Sequence, residues 1–306
     1  MGFPLHTLIE DPDRTEAAVC KEIARARTDP AALQVLEANY LDEDREAAFR
    51  RFRESFEFER LRRLLELLGI GPAARVCEVG AGGGWLAWAL HTAGIAQVDI
   101  LEPNHHPVTG TAYLKTRPDA AGIRIFDRLA AWYDDPTRYD LVLTRNCVHH
   151  FRGLGLIAAA TRQKLTPAGR WLMLREWYAE RPAEVYELLR EHPYAFKHQL
   201  YEFPHPLTRY VDSVESVGFA LEAVVPARYA NGVLGDCATD LGPWPLRAAT
   251  AVLDQALARA PWVTVLAYRL ERPFRRRLPP KLRFFSRPQA LLFRRIAVPG
   301  WDQAGS

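Results

Sequence analysis

The stretch Glu78-Val79-Gly80-Ala81-Gly82-Gly83-Gly84 is the part of this chain best equipped to hold a ligand. Closely spaced glycines let a backbone turn approach a bound molecule, and a helix that follows offers the free N–H groups of its first turn. A phosphate loop would need Gly-Lys-Ser/Thr after the turn, and none follows Gly84. A dinucleotide turn of the form G-x-G-x-x-G has Trp85 in its third glycine position, where the indole would obstruct close helix packing and a pyrophosphate. Two carboxylates, Glu102 and Asp127, stand at the ends of later apolar runs. Imidazoles form a second group of reactive side chains. His149 and His150 follow the run Tyr139-Asp140-Leu141-Val142-Leu143-Thr144-Arg145-Asn146-Cys147-Val148, and His192, His198 and His205 are interleaved with Tyr194, Tyr201, Glu202 and Tyr210. Imidazole titrates near neutrality, so either histidine of the first pair is able to take a proton from a reacting group, and either is equally able to pack beneath a loop. The histidines follow no compact ligand spacing and adjacent rings do not readily share one metal, so no metal site is expected. Cys20, Cys77, Cys147 and Cys237 form no CxxC pair, and Cys77 and Cys147 are expected as small buried side chains.

These groups must be positioned by a regular scaffold. Arg75 to Val79, Gln97 to Leu101, Gly122 to Phe126, Tyr139 to Thr144 and Gly169 to Arg175 are short apolar runs that predict strands. Helical patterns lie between them at Trp85 to Ala93, His106 to Arg117, Asp127 to Tyr133 and Phe151 to Leu165, followed by helices at Arg181 to Glu191 and Leu207 to Val217. Phe219 to Tyr229 and Val263 to Arg269 complete a set of seven strands, with a helix at Leu246 to Ala260 between them. Strict alternation predicts an α/β fold, a Rossmann-like seven-stranded, mostly parallel sheet with helices on both faces. Residues 1–70 read as a helical N-terminal cap, with Phe49, Phe52, Phe56, Leu64 and Leu68 on one face as a lid or as ordinary packing. The main domain is expected over 71–270 with an insertion near 231–261, and 271–306 as a C-terminal extension.

Glu78-x-Gly80-x-Gly82-x-Gly84, Glu102 and the segment ending Asn146-Cys147-Val148-His149-His150-Phe151 together resemble class I S-adenosylmethionine-dependent methyltransferases of the small-molecule branch. The turn ending His-His-Phe is similar to that of the ubiquinone and menaquinone type. The resemblance spans roughly Arg75 to Arg228, taking in Gly169 to Glu176 as the fifth strand and Gly218-Phe219 as the entry to the sixth. It implies that Glu78 lies behind the loop and that Gly80, Ala81, Gly82 and Gly84 face the methionine portion of the cofactor. It also implies that Glu102 accepts the ribose hydroxyls and that Arg145 and Asn146 sit near the sulfonium. Asp127 would receive the adenine amino group, with a helix N-cap as its rival reading. Arg128 would line the same pocket or belong to the surface. His149 and His150 become candidate bases, and Tyr194, His198, Tyr201 and His205 candidate acceptor-site residues.

Composition is that of a globular protein, 48% hydrophobic with a formal net charge of +3. The charge is uneven, since 271–306 holds nine Lys or Arg against Glu271 and Asp302. The Arg/Pro/Phe mixture there admits weak contact with an anionic membrane or an acidic partner, although its prolines interrupt any long amphipathic helix. An acidic body and the lack of an RNA-binding motif argue against nucleic acid as a partner. No run approaches a membrane span and no secretory start is evident, so a cytoplasmic location is expected. The expected activity is in-line methyl transfer to an O or N nucleophile of a small molecule, such as a specialised metabolite or sugar derivative. The alternatives are a C-methyltransferase, a catalytically silent cofactor-binding module that works by interaction and, more remotely, a nicotinamide oxidoreductase.

Overall fold

In a computed structural model of the chain, the described residues are 28, 29, 40–151, 153–191, 204–225, 255, 259–279, 282, 283, 285 and 288–298. Tyr194, His198 and Tyr201 lie outside them, as does most of 231–261. Helices α1 (Arg45–Arg53) and α2 (Phe56–Leu67) come first. The alternating core follows as β1 (Arg75–Val79), α3 (Trp85–Thr92), β2 (Gln97–Leu101), α4 (Ala112–Lys115), β3 (Arg124–Phe126), α5 (Leu129–Asp134), β4 (Tyr139–Arg145), α6 (Leu154–Lys164) and β5 (Leu165–Leu174). Next are α7 (Pro182–Glu191), α8 (Leu207–Glu215), β6 (Phe219–Val225), α9 (Trp262–Glu271) and β7 (Ala290–Arg295). The sheet order is β3-β2-β1-β4-β5-β7-β6, with β1 to β5 paired in parallel and β7 antiparallel to both neighbours. This is the Rossmann-like, mostly parallel sheet that the alternation predicts.

Side chains alternate across the sheet, and the alternation sorts the core into two layers. Val76, Ile100, Leu141, Leu143 and Leu172 point to the face covered by α1, α2 and α3. Cys77, Val79, Val142, Trp171 and Met173 point to the face covered by α6, α8 and α9. The capping helices α1 and α2 are each started by a side-chain cap, with Asp44 accepting from Ala47 N at 2.9 Å and Ser55 from Phe58 N at 3.1 Å. The second cap interrupts what reads as one helix and resets its phase. Phe49, Phe52 and Phe58 are therefore buried, whereas Phe56 is only half-buried. Phe52 packs on Tyr40 and Trp85, and Phe49 on Trp88 and Tyr113, so these rings join the helical cap to the domain core.

Three elements differ from the sequence-based expectation. Val263 to Arg269 is helical, inside α9, where the buried Thr264 and Tyr268 are four residues apart as one helical face requires. The seventh strand is instead Ala290–Arg295, which slots between β5 and β6. The helix expected at His106 to Arg117 shrinks to α4, because Asn104 ties its carboxamide to His106 N at 2.8 Å and its carbonyl to Thr111 N at 3.0 Å, holding a turn. The basic stretch after α9 is also partly internal. Arg275 is buried with its guanidinium 2.6 Å from Glu180, and the buried Arg283 grips Glu184 at 3.0 Å. Among the described residues no helix is long and apolar enough to cross a membrane.

Candidate active site

The glycine turn leaves β1 at the carboxyl edge of the sheet, the usual ligand-binding edge of open α/β sheets. Gly80 has φ +73°, and a Cβ added there would lie 2.0 Å from Cys147 Sγ, so the loop after β4 seats directly against it. Gly84 caps α3 in the left-handed conformation at φ +76°. Glu78 lies behind the turn, where its carboxylate accepts from Ala87 N in the first turn of α3 at 2.9 Å. Glu102 supports the turn from β2, with Oε2 accepting from Gly82 N at 2.7 Å and Oε1 from Asn104 N at 2.9 Å. Burial pushes Glu78 up to about 8 against the opposing hydrogen bond from Ala87, and Glu102 up to about 7 against those from Asn104 and Gly82. A hydroxyl pair donated to Glu102 would offset that burial, since each carboxylate oxygen has capacity for a second hydrogen bond. The buried acid beside a left-handed glycine turn therefore suits a ribose-bearing ligand.

The remaining cofactor candidates divide. Ala81 is buried within the turn. Asn146 takes the left-handed conformation at φ +50° and donates its backbone N–H to Leu174 O at 2.8 Å, which turns the chain sharply beyond β4 beside Gly80. Arg145 is directed elsewhere. Its buried guanidinium binds Glu57 of α2 at 2.7 Å and lies 4.6 Å from the centroid of the Trp85 ring. Arg175 reaches the same carboxylate at 2.9 Å. Glu57 is thereby the anchor of the cap on the ends of β4 and β5. Asp127 is half-exposed, with His105 Nε2 at 3.7 Å and Arg128 Nε at 3.6 Å. The N-cap position of α5 falls on Arg128, so Asp127 does not cap that helix, and the Arg128 side chain is on the surface.

Beyond Asn146, Val148–His150 forms a single 3-10 turn that carries both candidate bases. His149 is fully buried, and its Nδ1 is 2.8 Å from Oε2 of Glu176. The same carboxylate accepts the backbone N–H groups of Cys147, Val148 and His149 at 3.1, 3.0 and 3.1 Å. Burial opposes the ionised form of Glu176, but the contacts from His149 and these N–H groups outweigh it and hold the carboxyl below its usual range. An ionised carboxylate only accepts, so Nδ1 of His149 carries a proton and Nε2 is the nitrogen able to receive one. The His149 ring stacks on Trp177 at 5.2 Å and lies 4.3 Å from the half-buried His150 ring. His205 joins this cluster, with its ring 5.5 Å from Tyr210, whose hydroxyl donates to Trp177 O at 2.9 Å. Burial, with Arg209 and His149 nearby, pulls His205 down to about 4, so it is neutral near pH 7.

Glu176 is not among the sequence candidates. Its signal was an acid just after a strand adjacent and parallel to β4, at the edge where His149 emerges. Cys77 and Cys147 are buried free thiols. Among the described residues no group of three or more His, Cys, Asp or Glu is arranged to hold a metal.

Comparison with known proteins follows the same lines. The model of a family described as "Methyltransferase domain" matches residues 49–224. No curated protein matches the chain. Among solved structures, it is similar to geranyl diphosphate methyltransferase in complex with S-adenosylmethionine at 15% identity, covering 84% of this chain and 92% of that one with a TM-score of 0.48. It is similar to phosphoethanolamine N-methyltransferase 2 of Haemonchus contortus at 14% identity, covering 78% of this chain with a TM-score of 0.45, and spans only 52% of that enzyme's length. The geranyl diphosphate C-methyltransferase of Streptomyces coelicolor gives 14% identity, coverage of 78% and 79%, and a TM-score of 0.46. Since the family match runs from α1 into β6 and contains the glycine turn, Glu102 and the His149 turn, the chain belongs to the methyltransferase-domain family.

Proposed function

We propose that the enzyme methylates an O or N nucleophile of a small molecule, with His149 as general base and Glu176 as its positioning residue. The observation that carries this reading is the buried His149 Nδ1 to Glu176 contact of 2.8 Å at the end of β4. S-adenosylmethionine supplies an electrophilic methyl group and departs as a neutral thioether, so no group need protonate the leaving sulfur. The protein's tasks are to align the nucleophile with the methyl group and to remove its proton. Glu102 and the glycine turn are suited to the first task on the cofactor side. For the second, His149 Nε2 takes the acceptor's O–H or N–H proton as the new bond to carbon forms. Glu176 stabilises the resulting imidazolium through Nδ1–H. Neutral His205 belongs to the proposed acceptor pocket. A C–H acidic acceptor is the alternative substrate for the same base.

The test is turnover of S-adenosylmethionine with a panel of hydroxyl, amine and C–H acidic acceptors, each product's methyl position being assigned by NMR. For the acceptor found, His149→Gln is expected to lower kcat about 10²- to 10⁴-fold, the usual range for a positioned base, with little change in cofactor affinity. Full turnover by His149→Gln refutes the base. Methylation only at carbon refutes the O or N assignment.

A further inference from the structure

Trp262, Val263, Leu266, Leu270 and Phe274 stand out from α9 and the 3-10 turn Arg272–Phe274 that extends it, at 62, 42, 49, 67 and 56% exposure. At the helical rotation of roughly 100° per residue, they occupy an arc of roughly 120°. The side turned to the protein carries Thr264, which accepts from Val224 N at 3.0 Å, and the buried Tyr268. Val265 and Ala267 also pack inward on the core, so the helix is apolar on both sides, and a continuous exposed apolar stripe marks a contact surface.

The charges around the stripe specify its partner. Arg259 lies three residues before Trp262, Arg276 and Arg277 lie just beyond Phe274, and all three are exposed with no ion pair among the described residues. The neighbouring cations are engaged, Arg269 with Glu215 at 2.5 Å, Arg272 with Asp212 at 2.8 Å and Arg275 with Glu180. The one carboxylate within 262–277, Glu271, is bound inward to Arg275 and to Phe285 N. An apolar stripe with open cations at both ends matches an anionic bilayer, whose acyl region receives the aliphatic and aromatic side chains while its headgroups meet the arginines. A second copy of the chain fits poorly. Antiparallel pairing of two stripes brings Arg259 against Arg276 and Arg277, and parallel pairing brings each cation against itself.

We propose that the outward face of α9, with Arg259, Arg276 and Arg277, docks the enzyme peripherally on anionic lipid membranes. The test is cosedimentation of the full chain with phosphatidylcholine vesicles, with and without phosphatidylglycerol. The wild type is expected to pellet with the anionic vesicles and to remain in solution with phosphatidylcholine alone. Arg276→Gln with Arg277→Gln should weaken partitioning about thirtyfold, from the usual contribution of cations near an anionic surface. Leu266→Glu with Leu270→Glu should abolish it. These positions are exposed, and unchanged circular dichroism and S-adenosylhomocysteine affinity verify the fold. The proposal is overturned by a wild type that ignores anionic vesicles or by variants that bind as it does. It is equally overturned if the wild type forms a dimer that Leu266→Glu with Leu270→Glu disperses, or if it binds an acidic protein but no vesicle.

Discussion

Replacing Glu102 by Ala tests the cofactor site without knowledge of the acceptor. In the structure the carboxylate holds Gly82 N–H at 2.7 Å and Asn104 N–H at 2.9 Å, and burial raises it to about 7. If ribose hydroxyls bind the remaining acceptor capacity, truncation should cost about 1 to 3 kcal/mol of cofactor affinity, roughly 5- to 150-fold. The same geometry fixes a pH dependence. Hydroxyl donors stabilise the ionised carboxylate, so binding lowers its pKa and the protonated form is the weaker binder. Affinity should rise with pH through the region near 7, by about tenfold between pH 6 and pH 8, and level off above it. The assay is titration calorimetry with S-adenosylhomocysteine across that range, with the variant measured in parallel. The alanine variant should show the weaker affinity and lose the rise. Equal affinity of wild type and variant, or a wild-type profile that falls with pH, would refute the assignment.

Other perturbations address the loop and the cap. Gly80→Ala should abolish S-adenosylhomocysteine binding, because its methyl would sit 2.0 Å from Cys147 Sγ at a φ of +73°; adding Cys147→Ala should restore binding in part. Glu57→Gln removes the buried partner of Arg145 and Arg175 and should cost about 3 to 5 kcal/mol in urea denaturation at pH 7. Burial works against the Glu57 carboxylate, but both guanidiniums hold it below its ordinary value, so its stabilisation is present above the unfolded carboxylate range. That stabilisation is lost as pH falls through the folded pKa, and the gap between variant and wild type should narrow in acid. Phe52→Ala should cost about 3 to 5 kcal/mol by the same denaturation measurement, since the ring is fully buried between Tyr40 and Trp85.

The parts of this fold that were legible from sequence are those governed by local pattern. Arg75–Val79 and Gln97–Leu101 match their expected bounds because each is an apolar run ended by a turn or an acid. Ala290–Arg295 escaped because a short apolar run beyond an Arg and Pro-rich tract carries no local sign that it inserts between β5 and β6. Trp262-Val263-Thr264-Val265-Leu266 looks like a strand by its β-branched content, while the burial of Thr264 and Tyr268 comes from packing on β6. The same limit applies within the site. The positions of Glu78 and Glu102 beside the glycine turn were legible through the resemblance of that motif. The engagement of Arg145 by Glu57, and of His149 by Glu176, joins residues distant in sequence and depends on how α2 packs over the sheet and on β4 and β5 ending side by side.

The proposed site has the glycine turn, Glu102 and His149 around one reacting centre, and a crystal structure of the S-adenosylhomocysteine complex measures that directly. The predicted result has both ribose hydroxyls on Glu102, the sulfur near Gly80 and Asn146, and His149 Nε2 on the side from which the acceptor approaches. A ribose bound away from Glu102, or a His149 ring walled off from the methyl direction, would contradict it.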